Sequence, residues 1–236
     1  MSQRVVITGA AQGLGAAIAR AFAAKGADLV LIDRDADGLS QIATQTGGRA
    51  LTLQCDLSDA AQTDVAIARF LPGLPIDTLI HNAAMLRAEP VEEVTLTMFT
   101  ATVNVGLQAG FQLTKAVWPA MKQRGGALIF VSSQSGIKGF AGEVAYCAAK
   151  HGLEGFSKSL ALEGGTHGII SCTVTPGKSM RTPMSERNYP PELKAQWVEP
   201  DLLAPAFVHI SETRDPALNG QRLSAWDLSQ DIKGKP

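Results

Sequence analysis

The stretch Thr8-Gly9-Ala10-Ala11-Gln12-Gly13-Leu14-Gly15 closes a short β-branched run, Arg4–Thr8, and leads directly into an Ala-rich segment with helical spacing. Glycines at a strand-to-helix turn let the backbone bend sharply and approach a ligand closely, and the start of the helix offers free N–H groups to phosphates. The spacing GxxxGxG differs from the GxGxxG of other dinucleotide-binding folds. The stretch therefore indicates a nucleotide site, with a ligand-free glycine-rich turn as the alternative.

Outward from this turn, compact apolar runs alternate with stretches of helical spacing. We predict strands at Arg4–Thr8, Ala27–Asp33, Ala50–Gln54, Asp77–His81, Ala127–Ser132 and Ile169–Val174, with a further edge strand at Gly220–Ala225. We predict helices at Gly13–Lys25, Asp59–Phe70, Thr97–Lys122 and Val144–Glu163. Such runs are typical of a parallel sheet buried on both faces, and right-handed crossovers then give a doubly wound α/β sheet, a single-domain Rossmann fold of about seven strands.

Length and composition limit the functions that remain. The 236 residues fit one α/β domain, which we expect to span 1–228 and to be followed by a polar tail at 229–236. The net charge of −1 gives no field that would recruit nucleic acid or an acidic membrane, and the apolar runs are too short to span a bilayer. Three cysteines, an odd number without zinc spacing, indicate reduced thiols and no metal site. We therefore expect a cytoplasmic protein that acts on small molecules.

The proline-rich segment 176–200 breaks the alternation of strands and helices. A connection this long and irregular within a domain is usually functional, so we predict a substrate loop that closes over the reaction site. The candidates for lining the substrate site are Gln134, Glu143, Arg181, Arg187 and Tyr189.

Asp33 closes the second predicted strand, about twenty residues beyond the glycines. An acid at this place bonds the hydroxyls of the adenosine ribose, and it repels the 2′-phosphate of NADP. The uncharged Gln12 in the turn also favours NAD, whereas Arg34 is able to hold a phosphate. The alternative for Asp33 is a helix cap or a solvated acid. We predict NAD as the cofactor and NADP as less suitable.

Tyr146 and Lys150 are four residues apart on a predicted helix and therefore share one face. A nearby ammonium group stabilises a phenolate and lowers the pKa of a tyrosine, which suits general acid–base exchange of a proton between an alcohol and a ketone. Ser133 ends the preceding strand, where its hydroxyl is able to hold the substrate oxygen. A half-buried packing role is the alternative for Tyr146.

In combination these motifs resemble the short-chain dehydrogenase/reductase family over residues 4–184. The glycine stretch looks like the cofactor turn of that family. The other matching segments, in chain order, are Asp56-Leu57, Asn82-Ala83-Ala84, Asn104, Ser133, Tyr146-Cys147-Ala148-Ala149-Lys150, and Pro176-Gly177 followed by Thr182.

The resemblance implies a role for each matching residue. The implied catalytic tetrad is Asn104, Ser133, Tyr146 and Lys150. The implied cofactor contacts are Thr8, Gly9, Gln12, Gly13, Leu14, Gly15, Asp33, Asp56, Leu57, Asn82, Ala83, Ala84, Tyr146, Lys150, Pro176, Gly177 and Thr182. The substrate is expected to meet Ser133, Gln134, Glu143 and Tyr146. A helix cap is the alternative for Asp56, and a polar residue bonded to backbone is the alternative for Asn104.

Three departures from the family pattern stand out. His81 replaces a frequent Asn, Ala84 replaces a frequent Gly, and the interval from Pro176 to Thr182 is one residue longer than usual. The resemblance also implies a homo-oligomer, a tetramer or a dimer, which pairs through the helices Thr97–Lys122 and Val144–Glu163.

The predicted function is hydride transfer between NAD and an alcohol or carbonyl substrate. A sensor or scaffold that binds a dinucleotide without catalysis is the alternative on the same fold. A lyase or epimerase that uses bound NAD fits less well, because the chain has little room for the larger substrate domain of such enzymes.

Overall fold

Seven strands form one parallel sheet at the centre of the fold, which confirms the predicted doubly wound architecture. The computed structural model describes residues 2–71 and 73–234. The strands are β1 Arg4–Thr8, β2 Asp28–Asp33, β3 Ala50–Gln54, β4 Thr78–His81, β5 Gly126–Val131, β6 Ile169–Thr175 and β7 Arg222–Ser224. Their order across the sheet is β3-β2-β1-β4-β5-β6-β7. The order reverses between β1 and β4, and such a switch point opens a crevice at the carboxyl ends of the strands.

Helices cover both faces of the sheet because successive side chains of each strand point to opposite sides. The helices are α1 Gly13–Ala24, α2 Ala36–Gln45, α3 Ala60–Phe70, α4 Leu96–Val103, α5 Ala109–Arg124, α6 Val144–Gly164, α7 Pro183–Asn188, α8 Ala204–Thr213 and α9 Ala225–Lys233. Val5 and Ile7 of β1 share one core with α1 and α8. Val6, between them, joins the opposite core with α3, α5 and α6.

The helix predicted over Thr97–Lys122 is interrupted in the structure. A π-helical turn, Asn104–Gln108, separates α4 from α5. A π turn inserts a residue into the helix and is frequent at functional sites. The apolar periodicity continues through the turn, which is why the sequence predicted one helix.

The segment predicted to be a polar tail, 229–236, is helical as far as Lys233. Residues 225–233 form α9, and the Ser229 hydroxyl is buried, where it donates to the Leu203 carbonyl (3.2 Å) and accepts from the Ala206 N–H (3.1 Å). One face of α9 therefore packs on α8. Although α9 is polar on average, its few inward side chains fix it against the domain. Residues 235 and 236 lie outside the described part of the chain.

The predicted substrate loop 176–200 contains α7 and a 3₁₀ turn, Pro191–Gln196, and doubles back on itself. The N–H of Val198 donates to the Ser179 carbonyl, and the N–H of Arg181 donates to the Val198 carbonyl, each at 2.9 Å. These bonds join the two ends of the loop beside the crevice. Closure of the loop over a ligand stays a prediction.

A largely buried ion pair joins the last strand to helix α6. Nε of Arg222 on β7 lies 3.1 Å from Oε1 of Glu154 on α6. The Glu154 carboxyl also accepts from the Ser132 and Thr173 hydroxyls, and Nη2 of Arg222 donates to the Ser133 carbonyl oxygen at 2.9 Å. The pair therefore supports the backbone at Ser133.

We expect Arg222→Met to lower the free energy of unfolding by about 3 kcal/mol, because it leaves the Glu154 carboxylate buried without its partner. The double variant Arg222→Met/Glu154→Gln should recover part of that loss, since it removes the uncompensated charge. Urea unfolding measures both effects.

Arg181→Met is the matched control, because Arg181 pairs with Glu199 on the surface, where both side chains are about half exposed. Its cost should be below about 1 kcal/mol. Equal losses of unfolding free energy in Arg181→Met and Arg222→Met would contradict the larger contribution assigned to the pair of Arg222 and Glu154.

Candidate active site

A cavity of about 540 Å³ lies at the carboxyl ends of the strands, at the switch point between β1 and β4. Most of the predicted site residues line it: Gly9, Gln12, Leu14, Asp33, Asp56, Leu57, Asn82, Ala83, Ala84, Ser133, Gln134, Glu143, Tyr146, Lys150, Pro176, Gly177 and Thr182. Thr8, Gly13, Gly15 and Asn104 are not among the residues that line it. The cavity therefore connects the glycine turn with the tyrosine and lysine.

The glycine turn is shaped by contacts that exclude side chains. Gly9 has φ +64°, and a Cβ there would lie 2.9 Å from the Ala83 Cα. A Cβ on Gly15 would collide with the Gly9 carbonyl oxygen. Helix α1 begins directly after Gln12, whose side chain makes no capping hydrogen bond. The first N–H groups of α1 thus have no side-chain cap, which suits an anion-binding turn.

Thr182 lies opposite this turn despite the longer interval after Pro176. A Cβ built on Gly13 would be 3.2 Å from the Thr182 Cγ2 atom. Thr182 also caps α7, because its hydroxyl accepts from the Ser185 N–H at 3.1 Å. The beginning of the substrate loop therefore lies close to the glycine turn.

Two acids at the cavity wall are each fixed by backbone N–H groups. The Asp33 carboxylate accepts from the N–H groups of Ala11 (3.0 Å) and Asp35 (3.1 Å). The Asp56 carboxylate accepts from the Ser58 N–H, and this bond lowers its pKa. Asp33 thus joins the end of β2 to the glycine turn, with its carboxylate at the cavity wall.

The Thr8 hydroxyl connects β1 to the segment after β4. Its oxygen accepts from the N–H groups of Asn82 and Ala83, each at 3.0 Å, and lies 3.1 Å from Nδ1 of His81. Because the oxygen already accepts twice, its own proton is directed to Nδ1, and the His81 proton is assigned to Nε2. Burial, followed by the charge of Lys150, lowers the pKa of His81 to about 3. The sequence marked His81 only as a departure, and its buried neutral state became visible in the structure.

Asn104 begins the π-helical turn, and its Nδ2 donates to the Ser58 carbonyl at 2.7 Å. This is the backbone-bonded arrangement that the sequence left open for Asn104. The structure does not bring its side chain to the cavity wall with the other three members of the predicted tetrad, so a catalytic role for Asn104 stays a prediction.

Ser133, Tyr146 and Lys150 meet at one end of the cavity, as the spacing of the motif predicts. Nζ of Lys150 lies 5.5 Å from the centre of the Tyr146 ring and donates to the Val131 carbonyl at 2.6 Å. Lys150 is buried, and Tyr146 is partly buried at the wall. The cation therefore lies beside the ring of the phenol.

The pKa values differ from the expectation of a tyrosine activated by lysine alone. Burial lowers the pKa of Lys150 to about 8, although Glu154 opposes the shift. Burial also raises the pKa of Tyr146, and Tyr189 and Glu143 raise it further, whereas a hydrogen bond with Ser133 lowers it. Solvent exclusion therefore disfavours the Tyr146 phenolate, and additional positive charge near the ring would be needed to produce it.

Several cavity residues were not found from the sequence. Ser135 donates to Oε2 of Glu143 at 2.7 Å, and its only sequence signal is a run of three serines within four residues. Met180 and Met184 are apolar residues of the substrate loop that line the cavity. Of the loop candidates, Arg187 and Tyr189 line the cavity, whereas Arg181 points to Glu199.

The profile of the short chain dehydrogenase family matches residues 3–192. D-threitol dehydrogenase of Mycolicibacterium smegmatis is 36% identical over 135 residues, which cover 55% of this chain and 52% of that protein. Galactitol 2-dehydrogenase of Agrobacterium fabrum is 34% identical over 141 residues, 58% of this chain and 54% of that protein. The chain thus spans about half the length of these relatives.

The fold is also that of solved structures. A structure described as a short chain dehydrogenase from Pseudomonas syringae is 32% identical and superposes with a TM-score of 0.86 over 94% of each chain. Within residues 2–71 and 73–234, no helix is both long and apolar enough to cross a membrane.

The neutral His81 should make the stability of the protein depend on pH. Its pKa falls from 6.5 to about 3 on folding, so below pH 6.5 the unfolded chain binds a proton that the folded chain does not. The free energy of unfolding therefore rises with pH between about 3 and 6.5. Relative to that of the wild type, the free energy of unfolding of His81→Asn should rise by about 1.4 kcal/mol for each pH unit below 6.5.

Urea unfolding at pH 7.5 and pH 5 measures this change, and only the difference between the two pH values counts, because the substitution has its own packing cost. His167→Asn, at an exposed position, is the control and should follow the wild type. Parallel pH curves for His81→Asn and the wild type would contradict the buried neutral imidazole.

Proposed function

The chain belongs to the short chain dehydrogenase family, and from that premise we propose that it transfers a hydride between NAD(H) and an alcohol or carbonyl carbon. The observation that carries the proposal is one continuous cavity with the glycine turn at one end and Ser133, Tyr146 and Lys150 at the other. The names of the D-threitol and galactitol 2-dehydrogenases support a CH–OH group as the donor.

The cavity fits an extended dinucleotide. Side-chain-free backbone at Gly9 and Gly15, next to the uncapped start of α1, forms a cradle for a pyrophosphate. Asp33 would hold the adenosine ribose, and Lys150 the nicotinamide ribose. When bound, oxidised NAD would supply a hydride acceptor and a positive charge.

The residues of the chain then divide the chemistry among them. Ser133 orients the substrate oxygen, and Tyr146 accepts the proton of the alcohol or returns it to the carbonyl oxygen. Lys150 keeps positive charge beside the ring of Tyr146. Asn104, fixed at the π turn, is proposed to hold a water that exchanges this proton with solvent.

The homo-oligomeric state also stays a prediction.

We propose NAD rather than NADP because the Asp33 carboxylate would repel a 2′-phosphate. Asp33→Ser should lower the ratio of kcat/KM for NAD to that for NADP at least about tenfold, or about 1.4 kcal/mol. Steady-state kinetics with both cofactors measure the ratio.

Asp37→Ser, which removes an exposed acid from the first turn of α2, is the control and should leave the ratio unchanged. A wild-type preference for NADP would refute the assignment, and it would direct attention to Arg34 in the cavity wall.

Tyr146→Phe should lower kcat by about 10²–10⁴-fold, because it removes the hydroxyl that exchanges the proton. NAD affinity, measured by fluorescence titration, should stay near the wild-type value, since the glycine turn and Asp33 are intact. Full activity in Tyr146→Phe would overturn the mechanism.

Lys150→Ala separates the two roles of the lysine. It should raise the apparent pKa of the pH–rate profile, because the Tyr146 phenolate loses a stabilising positive charge. It should also weaken NAD binding through the lost ribose contact.

Wild-type protein that binds NAD but turns over no alcohol or carbonyl compound would instead favour the sensor.

A further inference from the structure

Glu143 is a buried acid at the substrate end of the cavity that the proposed proton exchange does not use. It is 8% exposed and lines the cavity together with Tyr146 and Tyr189. It occupies the residue before α6, yet its side chain makes no capping hydrogen bond to that helix. Its carboxyl group is therefore available to the cavity rather than used at the helix end.

A chain of hydroxyl groups fixes the carboxyl group relative to the reaction site. The Ser133 hydroxyl donates to the Ser135 oxygen at 3.3 Å, and the Ser135 hydroxyl donates to Oε2 of Glu143 at 2.7 Å. The carboxyl group thus lies two hydrogen bonds from the hydroxyl that is proposed to hold the substrate oxygen. Oε1 makes no protein hydrogen bond among the described residues, so it remains able to accept one.

The position has an electrostatic cost. After burial and Tyr189, Glu143 is among the groups that raise the pKa of Tyr146, and it also raises the pKa of Tyr189. Within 2–71 and 73–234, no ion pair involves Glu143. A glutamine would occupy the same space without opposing the phenolate, so packing alone does not account for a carboxylate here.

We propose that Glu143 accepts a hydrogen bond from a second substrate hydroxyl, on the carbon next to the reacting one. The substrate class is then a vicinal diol or polyol in oxidation, and an α-hydroxy carbonyl compound in reduction. The inference rests on the proposed function of the same cavity, and it names the substrate class for it.

The chemistry of the carboxylate selects among substrates. Hydrogen bonds from a hydroxyl to a carboxylate are shorter and about twice as strong as those between neutral groups. A carboxylate on the neighbouring substrate carbon would be repelled by Glu143. The exposed Lys178 and Arg187 also line the cavity, so an anionic group is accommodated only further from the reacting carbon.

The reaction balances with the second hydroxyl unchanged. In oxidation, the proton of the reacting hydroxyl passes to the Tyr146 phenolate, and the hydrogen on carbon leaves with its electron pair as the hydride that NAD⁺ accepts. A carbonyl group forms at that carbon. The neighbouring hydroxyl keeps its proton and its hydrogen bond to Glu143 throughout.

The test compares Glu143→Gln with the wild type on 1,2-cyclohexanediol and cyclohexanol, with NAD as cofactor. We expect the wild type to prefer the diol. Glu143→Gln should lower kcat/KM for the diol by about 10–100-fold, the range of a hydrogen bond to a charged group. The ratio of kcat/KM for the diol to kcat/KM for cyclohexanol should fall by a similar factor, because cyclohexanol has no second hydroxyl to meet the side chain.

Glu163→Gln, an exposed change on the same helix, is the control and should behave as the wild type on both substrates. Glu143→Asp keeps the charge with a shorter side chain, so it should retain part of the preference for the diol. Calorimetric titration of the NADH complex with the diol gives a second readout that does not depend on turnover.

The outcomes separate this inference from the proposed function. Equal activity of the wild type on both substrates, or an equal loss on both in Glu143→Gln, would overturn the role of Glu143 and leave the oxidoreductase intact. Binding of the diol that depends on Glu143 without any turnover would support the subsite and overturn the oxidoreductase. Neither turnover nor binding of the diol would overturn the subsite.

Discussion

The hydrogen bonds of the Thr8 hydroxyl hold together the place where the sheet changes direction. At this point β1 and β4 end side by side, and their following segments diverge to opposite faces. One oxygen accepts from the N–H groups of Asn82 and Ala83 and directs its proton to His81. Asn82 adds bonds from its side-chain amide to the carbonyl oxygens of Thr8 and Gly9. Both edges of the crevice are therefore bonded to this single side chain, and the glycine turn begins directly after it.

The catalytic end of the crevice combines groups that oppose each other in the free protein. Lys150 is buried and Tyr146 is partly buried, which disfavours the charged form of each. In the proposed reaction, the bound cofactor would supply part of the positive charge that favours a phenolate. Proton exchange by Tyr146 would then be favoured when the cofactor occupies the crevice.

Much of the sheet could be predicted from the sequence because its strands are buried on both faces. β1 and β3 begin and end as predicted, and the other strands differ by one or two residues at their ends. Helix α2 was missed because Ala36–Gln45 buries only a narrow face, with Leu39 and Ile42 as its large apolar residues. In the site, the sequence predicted that Tyr146 and Lys150 lie close together, because residues four apart share one face of a helix. It also predicted that Ser133 ends the strand before that helix. The link from Ser135 to Glu143, the unpartnered Nε2 of His81 and the raised pKa of Tyr146 depend on burial by distant segments, which no local pattern encodes.

The bond from Arg222 to the Ser133 carbonyl has a consequence for the order in which the molecule is assembled. These residues are 89 positions apart, and β7 adds only three residues to the edge of the sheet. Chains are synthesised from the N-terminus, and domains generally fold as units. The residues of β1, α1 and β4 are all translated well before Arg222. The backbone that presents Ser133 can therefore receive this support only when synthesis has passed residue 222, close to the end of the sheet.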